Sequence, residues 1–287
     1  FMSALLNAEA GDIERIAFLA EEAKKMKIEI LPPDINQSGR DFSPDESLQV
    51  IRFGLNAIKN LGSNIVEAII TERQQNGPFK DISDFLLRMT HKDLNKKSLE
   101  SLIKCGALDS LGIEKGILLY NIEELLRFNG DSKRNIRNNQ FSLFSGEHNL
   151  SFFRLKEAPP VSLKEKLSWE KELLGIFVSE HPLNGLEERL KAFKTVTIKE
   201  ALNYSSVKYL NVAGIVSKIQ MVLTKFGQPM LFAKINDLSA SIEVVVFSDV
   251  LGRNPTVWQE NNVVMVKGKM SRRNGEPKLI CEEAKVV

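Results

Sequence analysis

The stretch Leu55-Asn-Ala-Ile-Lys-Asn-Leu-Gly-Ser-Asn-Ile-Val-Glu-Ala-Ile-Ile70 sets a Leu-Gly step between two short helical patterns. Gly62 can take a positive φ and lets another backbone come close. The second helix is expected just after it, so the amides of Gly62, Ser63 and Asn64 would face outward, with Lys59 and Asn60 ahead of them. A helix start of this kind favours a phosphate. Ile58, Leu61, Ile65, Ala68 and Ile69 recur at the spacing that would hold such a hairpin together from inside.

This pattern resembles the helix-hairpin-helix motif, which grips the DNA backbone without reading bases. A Gly-capped turn between two ordinary helices would carry the same sequence. A degenerate second copy follows at Leu94-Asn-Lys-Lys-Ser-Leu-Glu-Ser-Leu-Ile-Lys-Cys-Gly-Ala-Leu108, with Asn95 as cap and Leu99, Leu102 and Ile103 facing inward. Lys96 and Lys97 can meet phosphate or simply form a solvated face. Cys105 reads as a small core residue.

Outward from the hairpin, residues 12–27 place Ile13, Ile16, Ala17, Ala20 and Ala23 at helical spacing behind an Asp12 cap. Residues 28–31 read as a strand stopped by Pro32-Pro33, 39–44 as a loop, and 48–53 as a strand. Helices are expected near 64–75, 82–90, 96–105, 113–128, 163–176 and 183–193. Between Gly130 and Pro160 the composition turns to Asn, Ser, Lys, Arg and Gly, which marks a linker.

Beyond Lys208 the period switches to two. The runs are Tyr209–Met221, Gln228–Asn236, Ala240–Phe247, Val263–Met270 and Pro277–Ala284, with a longer insert at 248–261 that holds Trp258 and a short helix. Five strands with an insert between the third and fourth resemble an OB-fold barrel, whose ligand face and loops bind nucleic acid strands. Here Lys225 and Phe226 occupy the first loop, and Arg272 and Arg273 the last. Cations release counterions and an aromatic can stack a base. Phe232 and Phe247 are expected in the core. Such a barrel can equally bind protein or brace its neighbours. The charge supports the first use: 207–287 holds 11 Lys+Arg against 7 Asp+Glu, +4 of a chain total of +2, which leaves −2 elsewhere.

Inside the linker, Gln140-Phe141-Ser142-Leu143-Phe144 puts adjacent apolar side chains on an otherwise polar run, where something should cover them. It looks like the short peptide by which bacterial replication proteins dock on the sliding clamp, with Leu143 and Phe144 entering an apolar pocket. The alternative is that both pack back on their own domain.

The 287 residues, 43% of them hydrophobic, are ample for two domains. No apolar run is long enough to cross a bilayer, and Phe1-Met2-Ser3-Ala4 lacks the basic start of a secretory signal. The opening Phe points to a piece of a longer chain. Cys105 and Cys281 stand far apart, so a reducing cytoplasm fits best. Neither phosphate-cradling glycine motif is present, and His91, His148 and His181 are isolated. Asp41 with Asp45, and Asp81 with Asp84, read as loop and helix-cap acids rather than metal ligands. No active site, metal site or cofactor site is expected in this segment.

Four ordered stretches carry a wider resemblance: Lys27-Ile-Glu-Ile-Leu-Pro-Pro-Asp-Ile-Asn36, Ile51-Arg-Phe-Gly-Leu-Asn-Ala-Ile-Lys-Asn-Leu-Gly62, Leu102-Ile-Lys-Cys-Gly-Ala-Leu-Asp109 and Trp169-Glu-Lys-Glu-Leu-Leu-Gly-Ile-Phe-Val-Ser-Glu-His-Pro-Leu183. Together they resemble the C-terminal half of the alpha subunit of bacterial DNA polymerase III, the C-family replicative polymerase. The resemblance implies a multidomain α+β chain: 1–47 the end of the fingers, 48–130 a tandem helix-hairpin-helix region on duplex product, 131–162 a linker with the clamp peptide, 163–206 a helical connector, and 207–287 an OB-fold near single-stranded template. It implies duplex and single-stranded DNA, the beta sliding clamp and other holoenzyme subunits as partners. The family's catalytic aspartates and its amino-terminal metal-binding domain match nothing here. The parent would be a Mg2+-dependent nucleotidyltransferase, and this segment non-catalytic. His181 matches a structural His-Pro step. Two other readings remain: a repair or scaffold protein built from the same modules, and a translesion member of the same polymerase family.

Overall fold

The structure is a computed structural model that describes residues 1–45, 49–137, 155–180, 182–183, 186–204, 209–272 and 276–287. The chain divides into two units, Phe1–Ser179 and Glu180–Val287.

The first unit opens with α1 (Met2–Ala8), which the sequence reading passed over, and α2 (Ile13–Lys25). Asp12 caps α2 by accepting from the amides of Glu14 and Arg15, as its position predicts. β1 (Glu29–Leu31), β2 (Ser43–Asp45) and β3 (Val50–Arg52) form a small sheet in the order β1-β3-β2, with β1 parallel and β2 antiparallel to β3. β2 starts inside the stretch expected as loop. Helices α3 (Ser63–Asn76), α4 (Ile82–Arg88), α5 (Lys96–Lys104), α6 (Lys115–Tyr120), α7 (Ile122–Arg137) and α8 (Leu163–Leu174) follow.

One core runs under these helices and includes Leu6, Ile16, Phe53, Leu55, Ile65, Ile69, Phe85, Leu102 and Leu125. Each such side chain, fully removed from water, contributes about 1.5–3 kcal/mol. Arg88 organises the α3–α4 corner. Its guanidinium pairs with Glu72 and Asp84, both at 2.9 Å, donates to the Gly77 carbonyl at 2.8 Å, and lies 4.4 Å from the Phe79 ring centroid. Asp81 and Asp84 are accounted for here: Asp81 caps α4 and Asp84 pairs with Arg88.

Two expectations need correction. The helix expected over 113–128 breaks at Asn121. Its side-chain Nδ2 donates to the carbonyls of Ile117 and Lys156 at 2.8 and 2.9 Å, and its side-chain Oδ1 accepts from Lys156 N–H at 2.9 Å. A partner 35 residues away ends the first helix, and α7 then runs on to Arg137, into the polar run read as linker. That polarity belongs in part to a helix surface, because α7 also buries Leu125 and Asn129. Asn129 closes the end of α4 by donating to the carbonyls of Leu86 and Met89. α8 ends at Gly175, whose φ of +79° is left-handed and whose missing Cβ leaves room for the Ile13 backbone. Just beyond, the buried Glu170 carboxylate accepts from the amides of Val178 and Ser179 at 2.8 and 3.2 Å.

The second unit holds α9 (Glu187–Ala192), α10 (Ile198–Asn203) and a closed barrel of β4 (Tyr209–Leu223), β5 (Pro229–Asn236), β6 (Ser241–Val246), β7 (Val263–Ser271) and β8 (Lys278–Val286). Around the barrel the order is β4-β5-β6-β8-β7, and β7 closes back on β4. The β6–β8 pair is parallel and the others antiparallel. α11 (Ser248–Arg253) fills the insert between β6 and β7, with Trp258 buried behind it. Leu231, Ala233, Ile235, Ile242, Val244 and Val246 alternate into the core. Phe232 and Phe247 therefore sit in the opposite phase: Phe232 is half-buried and Phe247 exposed, a correction to their expected core placement. Among the described residues, no helix is long and apolar enough to cross a membrane.

Both cysteines are buried, and burial pushes each thiol up to about 12. The thiolate is the reactive form, so folded chain treated with iodoacetamide at about pH 8 should keep Cys105 and Cys281 unmodified, while urea-unfolded chain is alkylated at both. Rapid labelling of folded chain would contradict this packing.

Candidate nucleic-acid interface

The hairpin is built differently from its sequence pattern. Its first arm is one 3-10 turn, Leu55–Ala57, rather than an α-helix. The positive φ falls on Asn60, at +68°, in a turn closed by Leu61 N–H donating to the Ile58 carbonyl at 3.2 Å. Asn tolerates that region well among non-glycine residues. Gly62 is extended, at φ −77° and ψ 152°, and serves as the N-cap of α3. A Cβ there would meet nothing within 4 Å, so the glycine leaves open space above the helix start.

Ile58, Leu61, Ile65 and Ile69 are buried beneath, with Ala68 partly so. Gly62, Ser63 and Asn64 are exposed, and their amides have no hydrogen-bond partner among the described residues. The first turn of α3 carries no acidic residue. Ser63 Oγ is occupied, donating to Asn56 Oδ1 at 2.9 Å, which ties the two arms together. Lys59 and Asn60 are exposed beside this opening, and Lys59 N–H donates to the Leu173 carbonyl at 3.0 Å.

The second copy places its helix as expected. Asn95 caps α5 in a reciprocal pair with Ser98, and Leu99, Leu102 and Ile103 are fully buried. Lys96 and Lys97 are both exposed on its first turn. Lys96 Nζ lies 2.5 Å from Glu123 Oε1 on the first turn of α7, and this hydrogen bond raises the Lys96 ammonium above its ordinary value. Asn64 Nδ2 reaches across to Asp93 Oδ2 at 3.3 Å. The starts of α3, α5 and α7 are thus linked on one face by contacts absent from the sequence reading.

In the barrel, Lys225 and Phe226 stand at the tip of the β4–β5 hairpin, closed by Gly227 N–H to the Thr224 carbonyl and Thr224 N–H to the Gln228 carbonyl, both at 2.9 Å. Phe226 is 91% exposed, and Met221 and Leu223 are exposed below it. Arg272 is exposed too, but its guanidinium donates to the Leu202 carbonyl at 2.5 Å, closing the end of α10. Arg273 lies outside the described residues.

Strand register reveals a surface that residue types alone missed. Gln220, Phe232, Val245 and Ile280 form one outward row across β4, β5, β6 and β8. Lys218, Lys234, Glu243 and Lys278 form the row beside it. Lys278 pairs with Glu243 and sits 5.3 Å from the Phe232 ring centroid. An apolar, aromatic-bearing strip edged by lysines can accept bases on one side and phosphates on the other.

Gln140, Phe141, Ser142, Leu143 and Phe144 lie outside the described residues. The chain that follows is held on the first unit: Leu155 packs against its core, Lys156 is paired with Asn121, and Val161 N–H donates to Glu114 Oε1 at 3.2 Å. His181 also lies outside the described residues. No group of three or more His, Cys, Asp or Glu is placed to hold a metal among the described residues.

Residues 27–118 match the helix-hairpin-helix motif family, and residues 210–287 match the OB-fold nucleic acid binding domain family. DNA polymerase III subunit alpha of Borreliella burgdorferi is 33% identical over 291 residues, which is 99% of this chain and 25% of that protein. The Saccharopolyspora erythraea subunit is 32% identical over 99% of this chain and 24% of its own length. The Thermus aquaticus subunit is 37% identical over 86% and 20%. Among solved structures, a mitochondrial single-stranded DNA binding protein of S. cerevisiae matches 29% of this chain at 11% identity with a TM-score of 0.25, too low to carry an argument. The chain spans about a quarter of the length of the curated relatives it matches. Over nearly all of its length, from the helix-hairpin-helix region through the OB-fold barrel, it corresponds to the C-terminal part of the DNA polymerase III alpha subunit.

Proposed function

We propose that this segment holds DNA and the sliding clamp for a replicative DNA polymerase III alpha subunit in the cytoplasm, and leaves nucleotide joining to the rest of that subunit. The observation that carries the reading is the start of α3, where three exposed amides without partners stand over open space at Gly62. Such a start binds a phosphate oxygen through backbone N–H groups and the helix dipole, so it follows any duplex sequence. Lys59 and Lys97 add counterion release to it.

The barrel is the single-strand element of this reading. Phe226 and the Phe232–Val245–Ile280 strip offer stacking surfaces, and Lys218, Lys225, Lys234 and Lys278 line the path of a backbone. Arg272 acts mainly within its own unit, by holding α10. Residues 140–144 dock on the beta clamp, with Leu143 and Phe144 as anchors in an apolar pocket. Separate weak contacts on one chain multiply through effective concentration, so none need be tight. The parent's phosphoryl transfer uses Mg2+ held by carboxylates elsewhere, and other holoenzyme subunits complete the assembly.

Three outcomes test this. Gly62→Val, whose Cβ would meet nothing within 4 Å in the free protein, should weaken duplex binding about tenfold, one charge-assisted contact's worth, while the melting temperature changes little. Unchanged duplex affinity would refute the hairpin assignment. Phe226→Ala with Phe232→Ala should lower single-strand affinity by about 1–3 kcal/mol per stacked base, measured by fluorescence titration, and leave duplex affinity intact. Leu143→Ala with Phe144→Ala should abolish capture by immobilised clamp; undiminished capture would remove the peptide from the account.

A further inference from the structure

Two of the protein's own carboxylates are seated among the helix starts of the hairpin face. Asp93 accepts from the Asn64 side-chain Nδ2 at 3.3 Å, and Glu123 accepts from the Lys96 ammonium at 2.5 Å. Neither contact is demanded locally. Asp93 stands two residues before the Asn95 cap, and its backbone carbonyl, not its carboxylate, serves α5 by accepting from Ser98 Oγ at 2.8 Å. Glu123 lies 27 residues from Lys96 and reaches it across two helices. Both carboxylates remain open to water: the Asp93 side chain is 38% exposed and that of Glu123 75%. Their targets are two of the polar groups that border the unpaired amides and lysines of the face.

We infer that Asp93 and Glu123 are built-in competitors of phosphate, holding Asn64 and Lys96 when no duplex is present and keeping duplex affinity below what this face could deliver. The inference rests on the duplex reading proposed above. The exposed Lys96–Glu123 ion pair and the long, exposed Asn64–Asp93 hydrogen bond are both weak, so a phosphate displaces them readily. Once displaced, the two carboxylates still lie well within one Debye length of the polyanion and repel it. The result is a grip that forms and releases quickly, as a segment tracking a moving duplex requires. Surface position makes both residues replaceable by their amides without loss of packing.

The experiment is titration of labelled blunt duplex with the full chain and with Asp93→Asn, Glu123→Gln and the double variant, at low and high salt. Glu260→Gln, an exposed acid in the second unit, controls for net charge. Each single variant should tighten binding about threefold at low salt, the double should multiply the gains, and high salt should shrink them. Glu260→Gln should change nothing. Wild-type duplex binding without any tightening in the variants overturns this inference alone. Absence of duplex binding by the wild-type chain overturns the duplex reading and this inference with it.

Discussion

The amides of Gly62, Ser63 and Asn64 can stay unpaired only because water reaches them, and the helix start that carries them can stay in place only because its underside is firmly buried. Ile58, Leu61, Ile65 and Ile69 supply that underside, and the Ser63–Asn56 bond stops the two arms from parting. An unsatisfied buried amide would cost about 1–3 kcal/mol, so the same geometry would be unstable inside the core. Exposure therefore sets where the opening can lie: at the edge of the helical unit, backed by Leu173, whose carbonyl receives the amide of Lys59. The rest of the first unit is scaffolding for that edge. Arg88, Asn121 and Asn129 each satisfy backbone carbonyls at the ends of helices, and Glu170 satisfies the amides of Val178 and Ser179 in the chain beyond α8.

The barrel meets the same demand by closure. With β4 paired to both β5 and β7, no strand is left with a free edge, and the outward face can carry half-buried apolar residues without inviting another strand. The parity of each strand decides which residues are offered. Leu231, Ala233 and Ile235 fill the interior, so Met230, Phe232 and Lys234 must face out. The lysine row is held apart from the apolar row by register alone, and Glu243 restrains Lys278 beside the Phe232 ring.

Much of this was legible in the sequence. The Leu-Gly step, the Asp12 and Asn95 caps and the five strand runs with their insert all follow from local pattern. What was missed has local and non-local causes. Assigning Phe232 and Phe247 to the core followed residue type, whereas Lys234 in phase with Phe232 already marks that phase as solvent-facing. Giving the positive φ to Gly62 ignored that Asn60 also tolerates it and that a glycine before a helix often serves as its cap. The break at Asn121 and the seats of Asp93 and Glu123 depend on partners 27 to 35 residues away, beyond the reach of any periodicity. Residues 131–137 read as linker because composition does not distinguish a solvated helix surface from an irregular chain.

The central claim is that one chain engages the two forms of DNA that meet at a primer end. The most direct measurement is a titration of the 287-residue chain with a duplex bearing a single-stranded overhang, beside blunt duplex and single strand alone, between about 50 and 200 mM salt. The account predicts that the overhang substrate binds more tightly than either part, and that every affinity falls as salt rises. Equal, salt-insensitive affinity for all three, or none for any, would contradict it.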